Sequence, residues 1–404
     1  MSVTRAVAGG ITAAPGFRVA AARAGLRSGP GPDVCLIVNE RGPVAAAATF
    51  TTNRFRAAPV TVAADALKSS GGHASAIVVN AGCANAGTGK PGVEDARRVQ
   101  AAVAERLGCR RQEVLVASTG LIGSRLDVER IEAVLPTMQP SRGPAAGREA
   151  ATSIMTTDTR PKQAAFRADG GGGRTITVSG MAKGAGMIHP QMATMLAFLT
   201  TDAPIAPGPL HDLLRSIVER SFNQLTIDGD QSTNDAVMIL AGGDGAEIEP
   251  GSAAGKALGE ALDATCISLA QQIAADGEGA TRRIDVTVGS AANDREARLI
   301  ARTVAGSSLV KSAVHGGDPN WGRIAAAAGR SGARLEPGRL VVRIGSITVY
   351  DGEPVAFSEA EASRALKRKV VGIGLELGLG AGRGEAWGCD LSAEYVAINS
   401  EYRT

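Results

Sequence analysis

The sequence predicts a layered α/β (α+β) fold. Segments rich in β-branched residues recur along the chain, amphipathic helical segments lie between them, and the 52 glycines concentrate where these segments meet. Alternation of strands and helices is typical of layered architectures. Several predicted strands are apolar on both faces, which indicates sheets that are covered on both sides.

The strands and helices follow from hydrophobic spacing taken in chain order. Runs of β-branched residues predict strands at 33–40, 75–80, 174–180, 235–243, 282–289, 339–352 and 369–377. Apolar residues spaced three or four apart predict helices at 92–107, 208–222, 255–275 and 294–314. The glycine run at 168–174 and the Pro/Gly/Ala-rich segment at 140–151 are predicted to be surface loops or a boundary.

Composition narrows the class of protein. The 404 residues are 44% hydrophobic and 21% charged, which is the balance of a globular protein large enough for two core-forming units. A net charge of +3 and 3% aromatic residues disfavour nucleic-acid binding. No run of 18 apolar residues or signal peptide is found, so we expect a cytoplasmic enzyme that does not bind membranes.

Cysteine and histidine usage disfavours disulfides and metal sites. The five cysteines are scattered without a Cys-x-x-Cys pair, as expected in a reduced compartment. The four histidines show no metal-ligand spacing, so we predict no metal centre.

Polar clusters follow several of the predicted strands, and each has two interpretations. Ser118-Thr119-Gly120 is either a tight turn or a set of donors for an anion. The segment 153–162 is either a helix cap or part of a site. The segment 315–324, which carries a tryptophan, is either a structured loop or a site wall, and Glu278 lies in a glycine turn that is typical of a helix stop.

Two glycine- or aspartate-rich segments are rejected as ligand sites. Asp228, Asp230 and Asp235 are spaced somewhat as in a calcium loop, but an aliphatic residue occupies the position of the essential glutamate. In the segment 372–391, Gly378 and Gly380 are followed by Arg383 where a dinucleotide fingerprint needs its third glycine, and we predict no helix or strand after these two glycines.

The segment "MAKGAGMIHPQMATMLAFLTTDA" (181–203) joins a glycine loop to an apolar run. Thr194 within it is either an ordinary strand residue or, if the chain is cut before it, a nucleophile. The α-amine of an N-terminal threonine can accept the proton of its own hydroxyl, with a pKa of about 8. The sequence contains no Gly-x-Ser-x-Gly elbow and no Cys/His pairing suited to a thiol nucleophile as an alternative.

The motif "KGAGMIHPQMATML" strongly resembles the self-cleavage motif of the ornithine acetyltransferase family, the bifunctional glutamate N-acetyltransferase/amino-acid acetyltransferases of arginine biosynthesis. The resemblance extends in order along the chain, through "FTTNRFRAAPV", "VVNAGCANAGTG", "STGLIG", "IMTTDTRPK", "SFNQLTIDGDQSTNDAV", "DGEGATR", "LVKSAVHGGDPNWGRI" and "AWGCDLSAEYVAINSEYRT". It implies an N-terminal-nucleophile-like ornithine acetyltransferase/aminopeptidase fold that is self-cleaved into two chains.

The resemblance also implies roles for particular residues. Cleavage between Ala193 and Thr194 would give an α chain of residues 1–193 and a β chain of residues 194–404 with Thr194 as nucleophile. Thr119 and Gly120 would form the oxyanion hole. The implied substrate-binding residues are Thr157 (with adjacent Thr156 as the alternative), Lys183, Thr194, Glu278, Asn399 and Thr404.

The implied reaction is ping-pong transfer of acetyl from N-acetylornithine to glutamate. The chains would assemble as an α2β2 heterotetramer without a cofactor or metal. No motif discriminates a chain that also uses acetyl-CoA as co-substrate from one that does not. Three alternatives stay open: a β-aminopeptidase with a serine nucleophile, an acetyltransferase paralogue of secondary metabolism, and an uncleaved ligand-binding or scaffold protein.

Overall fold

The computed structural model describes residues 4–189 and 195–401. Its strands are β1 (Arg5–Ala6), β2 (Phe17–Ala22), β3 (Val34–Asn39), β4 (Val44–Phe50), β5 (His73–Ala74), β6 (Ala76–Cys83), β7 (Val114–Leu121), β8 (Lys162–Asp169), β9 (Thr175–Lys183), β10 (Leu196–Thr201), β11 (Ala236–Ala241), β12 (Arg283–Ala291), β13 (Val341–Ile344), β14 (Ile347–Asp351), β15 (Glu353–Pro354), β16 (Val370–Glu376) and β17 (Gly382–Cys389). Its α-helices are α1 (Ala58–Ser69), α2 (Gly89–Leu107), α3 (Val128–Val134), α4 (Pro144–Ser153), α5 (Pro207–Arg220), α6 (Ala253–Ala274), α7 (Asp294–Ala305), α8 (Ser308–Gly316), α9 (Trp321–Gly329), α10 (Glu359–Leu366) and α11 (Ala393–Glu401).

The strands form three sheets in the described part of the chain. The first has the order β1-β8-β9-β10-β11-β4-β5, the second β2-β3-β6-β7, and the third β15-β14-β13-β16-β12-β17. In the first sheet, β10 pairs antiparallel with β9 and parallel with β11. Lys183, Leu196 and Ala236 are therefore neighbours across three strands, at the edge where β10 begins.

Two of the sheets pack face to face. Side chains of β4, β9, β10 and β11 share one buried cluster with side chains of β2, β3, β6 and β7. Helices α5 and α6 cover the other face of the first sheet, and α2 and α3 cover the other face of the second. The result is a four-layer α-β-β-α sandwich, which confirms the predicted layered fold and explains why the central strands are apolar on both faces.

The third sheet has its own hydrophobic cluster with α7, α8, α9 and α10. Its β17 contacts the sandwich through Trp387 and Cys389, which belong to the cluster beneath the first sheet. Two glycines of β17 lie against the backbone of α7. An added Cβ on Gly382 would be 2.3 Å from the backbone of Asn293, which caps α7, and one on Gly384 would be 2.4 Å from the backbone of Arg298 within α7. These glycines therefore serve close helix-to-strand packing.

Most predicted elements are present, and four predictions are wrong. The predicted strand 339–352 is a hairpin, because Gly345 turns the chain at φ +60°. The predicted helix 294–314 is two helices, since Ser307 caps α8 after α7 has ended. The predicted loop at 140–151 is mostly helix α4, with proline in its first turn and buried alanines. A strand and a helix do follow residue 380, contrary to our prediction.

Among the described residues, none of the helices combines the length and the apolarity that crossing a membrane requires.

Candidate active site

The ends of β7 and β9 open into one cavity of about 460 Å³. Six of the predicted site residues line it: Thr119, Gly120, Thr157, Lys183, Glu278 and Asn399. They come from segments that are distant in sequence, among them the ends of β7 and β9, which belong to the two packed sheets. Ala193, Thr194 and Thr404 lie outside the described residues. The chain re-enters the described part at Met195, directly before β10.

Lys183 is the buried cation of this cavity. Its side chain ends β9 and the residue is 4% exposed. Its Nζ donates hydrogen bonds to Thr156 Oγ1 at 2.7 Å and to Thr119 Oγ1 at 3.1 Å. Burial lowers the pKa of the Lys183 ammonium, and the Asp158 carboxylate opposes that effect. Of the two adjacent threonines, Thr156 bonds to the lysine, while both line the cavity.

A buried ion network supports Lys183 from behind. Lys162, which is 0% exposed, donates to Asp158 Oδ1 at 2.5 Å and to Asp276 Oδ2 at 2.6 Å. Asp158 Oδ1 also accepts the backbone N–H of Gly184 at 2.7 Å. Burial alone would raise the pKa of Asp158, but the Lys183 and Lys162 ammonium groups and the Gly184 N–H outweigh it and hold that pKa below its usual value. The network therefore positions both Lys183 and the loop that follows it.

Gly120 has a conformation and a packing that require glycine. Its φ is +126°, and an added Cβ would lie 2.3 Å from the carbonyl carbon of Gly82 in the neighbouring strand β6. Gly120 lines the cavity next to Thr119. A hydroxyl and a backbone N–H placed together can stabilise an oxyanion.

Gly120→Ala is expected to lower the free energy of unfolding by about 3 kcal/mol, because it combines backbone strain with an overlap that β6 cannot relieve. Gly123→Ala is the matched control: that glycine also has positive φ, at +87°, but nothing lies within 4 Å of an added Cβ. It should cost only about 1 kcal/mol. Urea denaturation followed by circular dichroism measures both, and equal losses would contradict the packing argument.

Glu278 brings negative charge to the same cavity. It lies in the turn after α6, where its N–H donates to Ala185 O at 2.8 Å, so it is tied to the loop after β9. Asn399 of α11 donates from Nδ2 to Glu278 Oε2 at 2.8 Å. Gly186 is pressed against the same carboxylate, since an added Cβ would lie 2.3 Å from Oε2. Asn399, which is 121 residues from Glu278 in sequence, thus contributes to the site.

Asp228 was singled out by the sequence only as part of a rejected calcium loop. Its carboxylate accepts the N–H groups of Met187 at 2.5 Å, Ile188 at 2.8 Å and Asp230 at 3.1 Å. Met187 has φ +56°, which is costly for a residue with a side chain, and these bonds hold it there. Burial raises the pKa of Asp228. No cluster of potential metal ligands occurs in the described ranges.

Tyr395 of α11 is a second cavity residue that the sequence did not indicate. Burial, and then the nearby Asp228 carboxylate, raise the pKa of its hydroxyl. Trp321, by contrast, stacks on Tyr350 with ring centroids 4.9 Å apart and does not line the cavity. The segment 315–324 is therefore structural rather than a wall of this site.

The cavity combines an ammonium group, carboxylates, and a hydroxyl beside a glycine backbone. This suits a small molecule that carries both charges and a polarised carbonyl. Comparison with known proteins decides the family: the model of the ArgJ family matches residues 18–404. The chain belongs to the ArgJ family.

Relatives of similar length support this family assignment. The arginine biosynthesis bifunctional protein ArgJ of Thermosynechococcus vestitus is 47% identical over 100% of both chains. That of Symbiobacterium thermophilum is 48% identical over 98% of this chain and 99% of its own. A crystal structure of the ArgJ protein from Bacillus halodurans is 45% identical, covers 51% of this chain and 98% of its own, and superposes with a TM-score of 0.50. The chain is an acyltransferase of arginine biosynthesis, as its sequence predicts.

Proposed function

We propose that this enzyme transfers the acetyl group of N-acetylornithine to glutamate through an acetyl ester on Thr194, after self-cleavage between Ala193 and Thr194. The observation that supports this most is the cavity in which Thr119, Gly120, Lys183 and Glu278 meet. Membership of an arginine-biosynthesis family makes amino acids of that pathway the substrates to test.

In the proposed turnover, the Thr194 α-amine accepts the proton of the Thr194 hydroxyl as the oxygen attacks the acetyl carbonyl. The Thr119 hydroxyl and the Gly120 N–H stabilise the oxyanion, and ornithine leaves with a proton on its freed nitrogen. The glutamate amine then attacks the ester and regenerates the threonine hydroxyl. Because the first product leaves before glutamate enters, the kinetics are ping-pong.

The charges of the cavity suit both amino acids. The buried Lys183 ammonium can hold a substrate carboxylate, and its positive charge stabilises negative charge that develops nearby. Glu278, steadied by Asn399, can hold a substrate ammonium group. Thr157 and, from outside the described residues, Thr404 complete the proposed binding set.

We also propose that the two chains stay together after cleavage. The α chain of residues 1–193 contains β9 and β4, and the β chain of residues 194–404 contains β10 and β11. In the first sheet β10 pairs with β9 while β11 pairs with β4, so each chain's strands are held by the other's. An α2β2 heterotetramer, cytoplasmic location and action without a cofactor complete the proposal, with acetyl-CoA as a second donor to be tested.

Incubation of the purified enzyme with N-acetylornithine alone should add one acetyl group to the β chain, measured by intact mass, and glutamate should remove it. Peptide mapping should place the acetyl group on Thr194. A parallel incubation with acetyl-CoA alone tests the second donor. Labelling by acetyl-CoA but not by N-acetylornithine would overturn the donor assignment, and a β chain that is never acetylated would overturn the covalent mechanism.

A further inference from the structure

Self-cleavage needs a different proton acceptor from the one proposed for acetyl transfer by the mature enzyme. In the uncut chain the Thr194 nitrogen is part of a peptide bond, and an amide nitrogen cannot accept the proton of the threonine hydroxyl. The base used in acetyl transfer therefore does not yet exist when the chain cuts itself. Another group near residue 194 must do this work.

Asp235 is placed to supply it. It directly precedes β11, and the residue is 1% exposed. Its Oδ1 accepts the backbone N–H of Met195 at 3.0 Å. Its Oδ2 is buried and, within 4–189 and 195–401, has no hydrogen-bond partner. A buried carboxylate oxygen without a partner is costly, which suggests a role beyond holding the strand.

The Asp235 carboxyl is bonded to the residue that follows Thr194 in the chain. Four covalent bonds separate the side-chain oxygen of a threonine from the nitrogen of the next residue, so the two atoms are at most about 5 Å apart. Met195 N is 3.0 Å from Asp235 Oδ1. Asp235 thus bonds to the residue next to the bond that is cut, which makes its carboxyl the group to test as the base for the Thr194 hydroxyl.

The surroundings of Asp235 favour proton transfer. The Thr51 and Ser232 hydroxyls lie near the carboxyl, and Lys183 is the charged group that faces it. Burial raises the pKa of Asp235 well above its usual value, although Met195 N–H and Lys183 oppose this. A carboxylate with a raised pKa is a stronger base than an exposed aspartate.

Two carboxylates that line the cavity already accept hydrogen bonds. Asp228 accepts three backbone N–H groups. Glu278 accepts the Asn399 amide. Lys183 donates hydrogen bonds to two hydroxyl groups, and only its neutral form could accept a proton.

We infer that Asp235 is the proton acceptor for self-cleavage. The inference rests on the proposed function. Asp235 takes the Thr194 hydroxyl proton as the oxygen bonds to the Ala193 carbonyl carbon, and it returns that proton to the Thr194 nitrogen as the Ala193–Thr194 C–N bond breaks. The resulting ester is hydrolysed by water, which leaves the Ala193 carboxylate and restores the Thr194 hydroxyl.

Asp235→Asn tests this inference, because an asparagine oxygen can still accept the Met195 N–H but cannot accept a proton. The full chain is made by cell-free translation, and conversion of precursor into two chains is followed by gel and intact mass at several pH values. We expect cleavage at least about 100-fold slower than in the unchanged chain. In the unchanged chain the rate should rise with pH as Asp235 loses its proton, and the residual rate of Asp235→Asn should lack that rise.

Asp202→Asn is the matched control. Asp202 also has a pKa raised by burial and accepts a backbone N–H, from Thr177 at 2.7 Å, but it lies past the far end of β10. The Asp202→Asn chain should cleave at the normal rate. The Asp235→Glu chain should recover part of the cleavage rate that Asp235→Asn loses. Normal cleavage by Asp235→Asn, with Thr194→Ala uncut, would overturn this inference alone. Cleavage of Thr194→Ala at the same bond would overturn the proposed function instead.

Discussion

Thr194→Ala is expected to leave the 404-residue chain in one piece and to reduce acetyl transfer by at least about 10⁴-fold. Both reactions are proposed to begin with attack by the same oxygen, so removal of that oxygen stops both. Intact mass spectrometry measures the cleavage, and release of ornithine from N-acetylornithine in the presence of glutamate measures the transfer.

Thr194→Ser is the control, because serine keeps the hydroxyl and loses only a methyl group. It should still cleave and still transfer acetyl, at lower rates. An uncut Thr194→Ala chain with full transfer activity would show that another group forms the covalent intermediate. If the Thr194→Ala chain were still cut into two chains, cleavage would not depend on the threonine hydroxyl.

Lys162→Met should give the largest loss of stability, about 3–5 kcal/mol in the free energy of unfolding. Lys162 has no exposed surface and stands between the Asp158 and Asp276 carboxylates. Without the ammonium, two buried carboxyl groups lose their shared partner and part of their charge compensation, or must take up protons. Urea denaturation of the uncut Thr194→Ala chain measures the change without dissociation of two chains.

Arg98→Met provides the comparison, because Arg98 pairs with Glu132 at the surface with half of its side chain exposed. Its loss should cost much less stability than the loss of Lys162, because solvent screens an exposed ion pair. The combined change of Lys162→Met, Asp158→Asn and Asp276→Asn should be more stable than Lys162→Met alone, since it removes the uncompensated charges. Similar losses for Lys162→Met and Arg98→Met would show that the buried network contributes little.

The layered fold could be predicted because its pattern is local. Strands such as β3, β11 and β16, and the long helix α6, each carry their own hydrophobic spacing. The breaks within 339–352 and 294–314 were missed because one turn glycine or one capping serine is a weak signal inside a long apolar pattern. Helix α4 was missed because proline and glycine at its start are typical of loops as well as of helix beginnings.

Prediction of the site relied on resemblance for most of its residues, and the structure brings six of them into one cavity. Asp228 and Tyr395 also line this cavity without having been predicted to, and Asp235, which bonds to Met195, was not predicted to have a role. The two aspartates are part of one polar segment, and spacing alone does not tell which carboxylate meets a backbone N–H and which keeps a free oxygen. Tyr395 lies on a short helix whose side chains are mostly exposed, so no burial pattern pointed to it.

The sequence by itself determined the family, the layered fold class and the segment in which a reactive threonine is expected, since these depend on ordered motifs and hydrophobic period. Only the tertiary structure decided which partners those residues have. The register of β9, β10 and β11 places Lys183 beside the start of β10, and the carboxyl of Asp235 against Met195. Long-range pairing of strands brings together groups that lie far apart in sequence, and burial then changes their acidity, which neither spacing nor composition records.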